Sequence, residues 1–312
     1  MKTMGIRSAA ICLMMSASAL CHAQQQPMFT QYMFNGLVIN PAYAGSQETF
    51  TATAVMRKQW AGMEGAPETQ TLSAHSPLDD LRTTKRPGSP VSVGVTIFRD
   101  RIAITGHTGL LASYAYRIKF LNQSSLSFGL QGGISQYRIR YSELGLDDPS
   151  FAVGDVQELQ PEFGAGLYFQ SNRFYSGFSA PQMLRPRSAE NVPGIAVDPH
   201  FFFTTGYVFD VNTTIKVKPN ILVKNYQGHL SQIDVNCNVF LNEILNVGVS
   251  WRSLESISGL FQLQVNPKFA FGYAYDHPFG ADFARLSNGS HEIMLNYRVP
   301  KKKIRTINPR FF

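Results

Sequence analysis

From about residue 47 to residue 299, apolar side chains recur at every second position, a spacing that belongs to β-strands and to no helix. Val91, Val93, Val95 and Ile97 alternate with Ser92, Gly94 and Thr96. Leu110, Ala112, Tyr114, Tyr116 and Ile118 alternate with Ser113, Arg117 and Lys119, and Phe163, Ala165, Leu167 and Phe169 with Gly164, Gly166 and Tyr168. Ile215, Val217, Ile221 and Val223 keep the pattern against Lys216, Lys218, Asn220 and Lys224. Later runs place Asp234, Asn236, Asn238, Asn246, Gly248, Ser250, Asn296 and Arg298 on the second face. One face of each run is apolar and the other polar or glycine, which makes the chain all-β.

Alternation alone also fits a soluble sandwich, whose polar face would meet water. The connections separate the two architectures. About fourteen strands can be counted, joined by turns that are short and long in alternation, as in outer-membrane barrels. With the first connection taken as external, the long ones (residues 141–160, 182–198 and 277–288) all fall on that side. The tight ones, at Ser171-Asn172, residues 210–213, Asn242-Glu243 and Asn266-Pro267, fall on the other; residues 78–89 break the rule, being long on the short-turn side. In lipid a free sheet edge would leave backbone groups unpaired, so the pattern predicts a closed antiparallel transmembrane β-barrel over residues 47–299. Phe201, Phe202, Phe203 and Tyr207, with Phe269, Phe271, Tyr273 and Tyr275, lie where interfacial aromatic girdles are expected. Fourteen strands stand between small filled barrels and open porins, which leaves the lumen open or plugged at this stage.

Charge divides the chain further. Of 28 Lys and Arg against 21 Asp and Glu, Lys2 and Arg7 precede the run of apolar and small residues that ends at Cys21-His22-Ala23. Residues 1–23 therefore read as a secretory signal peptide, and Leu20 is too large to precede a lipidated cysteine at Cys21. Five more cations, Lys301, Lys302, Lys303, Arg305 and Arg310, belong to a basic tail over residues 300–312. Without those seven the body has 21 cations against 21 anions, so it has no net charge with which to attract nucleic acid. Cys237 is left without a partner and reads as a small apolar side chain in a strand. The tail follows a strand that runs toward the periplasm. There it is either a solvated segment resting on anionic headgroups or a contact in which Lys301, Lys302, Lys303 and Arg305 meet an acidic face of a periplasmic partner.

Residues 24–46 form a lead-in of different character. Pro41 bars helix at Asn40, and Gly45-Ser46 punctuates again before the first strand. Its density of aromatic and amide side chains suits docking better than a flexible linker. The expectation is a periplasmic segment ordered against the barrel or a partner through Phe29, Gln31, Tyr32, Phe34, Asn35, Asn40, Pro41 and Tyr43; the alternative is a plug that fills the lumen.

Chemistry-bearing motifs are missing. The seven histidines are scattered without metal-ligand spacing, and no GxSxG, HExxH, P-loop or CxxC occurs. Asp79-Asp80 and Asp147-Asp148 read as solvated loop residues. Asn122, Asn212 and Asn288 head sequons that sit at hairpin ends, where they serve the turns. The inward cations Lys216, Lys218, Lys224, Arg117, Lys119 and Arg298 allow either a basic lumen or a plugged interior paired with Asp210, Asp234 and Asp276. No catalytic residue, metal or cofactor is expected.

Several local runs together resemble one family. Phe29-Thr30-Gln31-Tyr32-Met33-Phe34-Asn35, Asn40-Pro41-Ala42-Tyr43-Ala44-Gly45, Arg57 with Gln59-Trp60, Gly65-Ala66-Pro67, Thr69-Gln70 and Gly289-Ser290-His291-Glu292-Ile293 are similar to the PorP/SprF family, outer-membrane barrels of the type IX secretion system of Bacteroidetes. The resemblance covers residues 25–298. It implies a non-enzymatic role in export and surface attachment of large adhesin-like substrates, in contact with periplasmic and outer-membrane parts of the machine. A general porin or nutrient-uptake barrel is the alternative, and an outer-membrane hydrolase using His107 and a loop serine is a third.

Overall fold

The structure, a computed structural model, describes residues 28–78, 90–144, 154–184, 199–226, 229–253, 255–279 and 286–299. Residues 1–23, read above as a signal peptide, residues 300–312 with Lys301, Lys302, Lys303 and Arg305, and the pairs Asp79-Asp80 and Asp147-Asp148 lie outside these residues.

Fourteen antiparallel strands close into one barrel. They are β1 (Thr51–Lys58), β2 (Glu68–Pro77), β3 (Val91–Ile102), β4 (Thr105–Lys119), β5 (Ser125–Ile139), β6 (Val156–Gln170) and β7 (Phe174–Ala180). The second half comprises β8 (His200–Tyr207), β9 (Ile215–Tyr226), β10 (His229–Leu241), β11 (Leu245–Arg252), β12 (Ser256–Gln264), β13 (Phe269–Pro278) and β14 (Ser290–Arg298). Strand β8 leaves the ladder at Val208, which turns inward, and resumes as Phe209–Asp210 against β9. Closure comes from β14 pairing back onto β1, with Thr51 opposite Arg298 and Lys58 opposite His291. No sheet edge is left to seek another strand.

Side-chain phase follows the sequence. Leu110, Tyr114, Leu167, Val247 and Trp251 are exposed on the outer surface, where a bilayer would cover them. Their neighbours Leu111, Ser113, Asn246 and Ser250 are buried inside. Cys237 lies on the outward phase between the buried Asn236 and Asn238. One girdle assignment is corrected, since Phe202 points inward and packs in an apolar cluster with Phe29 and Met294, while Phe201 and Phe203 face out. The β5–β6 ladder also continues beyond the expected loop boundary, pairing Ser135 with Gln160 and Ile139 with Val156. Backbone pairing outlasts the apolar alternation there, because strands that rise above a membrane no longer need an apolar outer face. Asn122 and Asn212 accept hydrogen bonds from Ser124 N and Thr214 N, as turn residues do.

The lead-in departs from its expected place. Instead of lying at the periplasmic mouth it occupies the lumen, as three short 3-10 turns at Tyr32–Phe34, Gly36–Val38 and Pro41–Tyr43. Met28 to Gln31 lie beside the long-loop ends of β13 and β14, and the chain descends until Thr49 bonds Val299 O at the short-turn mouth. There it reverses into β1. The described chain thus begins near the long-loop side, although its first and last strands begin and end on the other.

Candidate functional site

The site is the interface between this internal segment and the inner wall. At its upper end the Glu292 carboxylate accepts two consecutive backbone N–H groups, Thr30 N at 2.8 Å and Gln31 N at 2.8 Å. The hydroxyl of Thr30 donates to Asp276 and accepts from Arg57 Nη1 at 2.9 Å. Arg57 in turn pairs with Asp276 at 2.7 Å and Glu292 at 3.3 Å, while Arg252 pairs with Asp234 at 3.0 Å. All five ionised side chains are almost completely buried. Charges taken so far from water persist only when paired and hydrogen-bonded, so the segment and the network hold each other in place.

Below this clamp the recognition is by amides and hydroxyls. Asn236 Nδ2 donates to the Tyr32 hydroxyl at 2.8 Å, Ser73 Oγ donates to Asn35 Oδ1 at 2.6 Å, and Ser179 Oγ donates to Ile39 O at 2.8 Å. Asn40, extended as a residue before proline must be, caps the last turn through Ala42 N and donates from Nδ2 to Leu167 O at 2.9 Å. The wall makes room for it: a Cβ on Gly129 would lie 2.1 Å from Ala42 N, and one on Gly166 would lie 2.2 Å from Asn40 Oδ1. Only glycine lets the two backbones approach so closely.

At the lower end Tyr43 meets His75 and Tyr168 edge-on at 5.5 and 5.4 Å, and its hydroxyl accepts from Gln47 Nε2. Gly45, at φ +72°, donates to His75 Nδ1 at 3.1 Å and accepts from Arg117 Nη1 at 2.7 Å.

Each of the eight expected lead-in residues is therefore engaged with the chain's own wall. Phe29 and Tyr32 sit in the apolar cluster around Phe202, Phe34 packs between that cluster and the one around Tyr43, and Pro41 opens the turn seated on β5. Gln31, fully buried against Gly272, is held through its backbone. The interior is plugged and ion-paired, with partners different in part from those expected. Asp276 takes Arg57 and Asp234 takes Arg252, whereas Lys216 lies near Asp210 and Glu243, Lys218 covers the Tyr175 ring, and Lys119 meets Glu48.

Sequence reasoning missed Arg252, Ser73 and Ser179 as contacts of the segment. It also missed the meaning of inward glycines: Gly166 reads only as the polar face of its strand, and nothing in the sequence marks Gly129. His107 stacks on Tyr137 at 3.8 Å with its Nε2 3.9 Å from Glu162 Oε1, and Ser135 donates to that Glu162 oxygen instead of to the imidazole. No group of His, Cys, Asp and Glu fit to hold a metal occurs among the described residues.

With this geometry in hand, comparison by sequence is decisive at the family level. The profile of the type IX secretion system membrane protein PorP/SprF matches residues 21–297. This chain belongs to the PorP/SprF family. The PorP/SprF match spans the plug and every strand, and Arg57, Asn40, Gly45 and Glu292, which carried the resemblance, are residues that fasten plug to wall. No curated protein matches the chain. Among solved structures it is similar to the Acinetobacter baumannii outer membrane protein Omp33, at 10% identity and a TM-score of 0.46, covering 82% of this chain and 100% of that one. It is also similar to the CymD monoaromatic hydrocarbon channel, at 14% identity and a TM-score of 0.49, covering 86% and 93%. A Pseudomonas aeruginosa FadL homologue matches at 12% identity and a TM-score of 0.44, covering 88% and 95%.

Proposed function

We propose that this chain is a non-enzymatic outer-membrane support of type IX secretion, assisting export and surface attachment of large adhesin-like substrates alongside periplasmic and outer-membrane parts of the machine. The observation that carries the reading is that a PorP/SprF barrel has its lumen filled by residues 28–47 of its own chain, each end fastened by buried polar bonds. A general porin needs a free passage, and residues 28–47 take up that space here. Since Phe29, Gln31, Tyr32, Phe34, Asn35, Asn40, Pro41 and Tyr43 are occupied by the wall, they would meet a partner only after leaving the lumen. We assign standing partner contacts to the outside of the barrel and to the basic tail.

Isolation of the native complex from membranes tests the first point: type IX components and a large surface adhesin are expected to co-purify, and recovery of the barrel alone under mild detergent would count against the role. For the tail, Lys301, Lys302, Lys303 and Arg305 are replaced together by Gln, and periplasmic partners are recovered at low and high salt. Yield should fall with the substitution and, in the parent, with salt, because such contacts are screened within about 8 Å at physiological ionic strength. Unchanged yield in both comparisons removes the tail from the interface.

A further inference from the structure

Between the plug and the wall of β2 to β4, in the long-loop half of the lumen, a cavity of about 60 Å³ remains. Its sides are mostly apolar: Phe29 and Ile39 of the plug face Phe98, Leu111 and Phe202 of the wall. Into this lining are set the side chains of Thr71, Thr96, His107, Gln131 and Gln182, of which Gln131 donates to Pro181 O at 2.8 Å. The hydroxyls of Thr71 and Thr96 belong to residues only 6% and 4% exposed, and neither they nor His107 Nε2 has a hydrogen-bond partner.

Buried hydroxyls without partners are costly, and native folds avoid them unless something supplies the missing bond. A water between the two hydroxyls would satisfy them and leave the apolar lining unfilled. The register sets Thr71 opposite Phe98 and Thr96 between Ser73 and Leu111, so a molecule that bonds the hydroxyls also lies against apolar side chains. His107 lies further along β4, opposite Asp100. The polar atoms are thus spread around an apolar space in the manner of small-molecule sites, where few polar groups orient an otherwise apolar ligand.

We infer that this cavity is a binding site for a small, largely apolar molecule bearing a single hydroxyl or carbonyl, held between the plug and the wall with its polar end on Thr71 and Thr96. Such a ligand touches Phe29 and Ile39 of the plug and Phe98 and Leu111 of the wall at once, so its binding free energy adds to that of the seated plug. The site is independent of the secretion role and stands or falls separately from it.

The test uses the full mature protein in detergent, with 4-bromophenol and bromobenzene as probes and equilibrium dialysis against the same detergent to subtract micelle uptake. Bromophenol should bind one to one, and anomalous diffraction from soaked crystals should place bromine in the cavity. Thr71→Val with Thr96→Val should weaken bromophenol at least tenfold and leave bromobenzene unchanged. Leu111→Phe, which fills the space from the wall and keeps both hydroxyls, should abolish both. Bromine found only on the lipid-facing surface, ordered water alone on the two hydroxyls, or equal loss of both probes in the double valine variant would overturn the assignment. Thr to Val preserves shape, so a well-folded variant is expected. Should Leu111→Phe fail to fold, the diffraction result on the parent protein still decides.

Discussion

At the scale of single residues, the plug is held by groups whose loss cannot be shared out among neighbours. Glu292 is the extreme case, accepting two backbone N–H groups while neutralising Arg57. Glu292→Gln keeps the shape, removes the charge and turns a donor toward donors. Breaking a buried, hydrogen-bonded pair in this way should destabilise by about 3 kcal/mol, read as the unfolding midpoint in detergent, and should open residues 28–35 to protease. A variant as stable and as protease-resistant as the parent would show that the clamp does not hold the plug. Gly129 offers a second probe with no charge involved. Its substitution by Val drives a side chain into the backbone of Ala42, and overpacking of this kind should cost about 1–3 kcal/mol by the same measurement. If Gly129→Val matches the parent, the close approach of plug to β5 is not needed for stability.

At the scale of elements, the strands were legible because a barrel in lipid leaves a period-two record: outward Leu167 and Val247, inward Asn246 and Ser250. The lead-in was legible in character but not in place. Its aromatic and amide side chains indicated docking, yet sequence spacing cannot say whether Asn35 meets a partner or Ser73 of the same chain, since the two are brought together only by closure of the sheet. The inward glycines were the missed clue. Small residues at Gly129 and Gly166 on an interior face lower the wall where something must lie against it. This alters what the two faces should tolerate. Leu167→Arg, facing lipid three residues from the short-turn end of β6, should cost about 1–2 kcal/mol. Sequence reasoning alone would let the neighbouring Gly166 accept a charge, but Asn40 already fills the space there. Gly166→Ser should therefore be harmful in the intact chain and nearly neutral once Asn40 is reduced to Ala, a coupling measurable by a double-mutant cycle. Additive effects would mean that the plug does not press on β6.

At the scale of the whole molecule, barrel and plug are separable in construction, and that makes the closed lumen testable. Every strand pairs with two neighbours through backbone bonds, and closure of β14 on β1 uses none of residues 28–47. Removing the plug should leave Arg57, Asp276 and Glu292 paired to one another on the wall and the sheet without an edge. A chain lacking residues 28–47 should thus insert and migrate as a folded barrel, with a lower unfolding midpoint because the apolar clusters around Phe202 and Tyr43 lose their inner half. What changes is the passage. Fourteen strands enclose a space wider than side chains alone fill in the smallest barrels, and the inner face without its plug is lined by Asn236, Asn238, Ser73, Arg57 and Asp276. In planar bilayers the parent should be electrically silent. The deleted chain should show stepwise ion conductance that disappears when a peptide of residues 28–47 is supplied from the short-turn side. Steady conductance by the parent would instead mean that ions pass the plug, and would restore the general porin as the reading of this barrel; silence of the folded, deleted chain would mean that wall side chains, not residues 28–47, close the lumen.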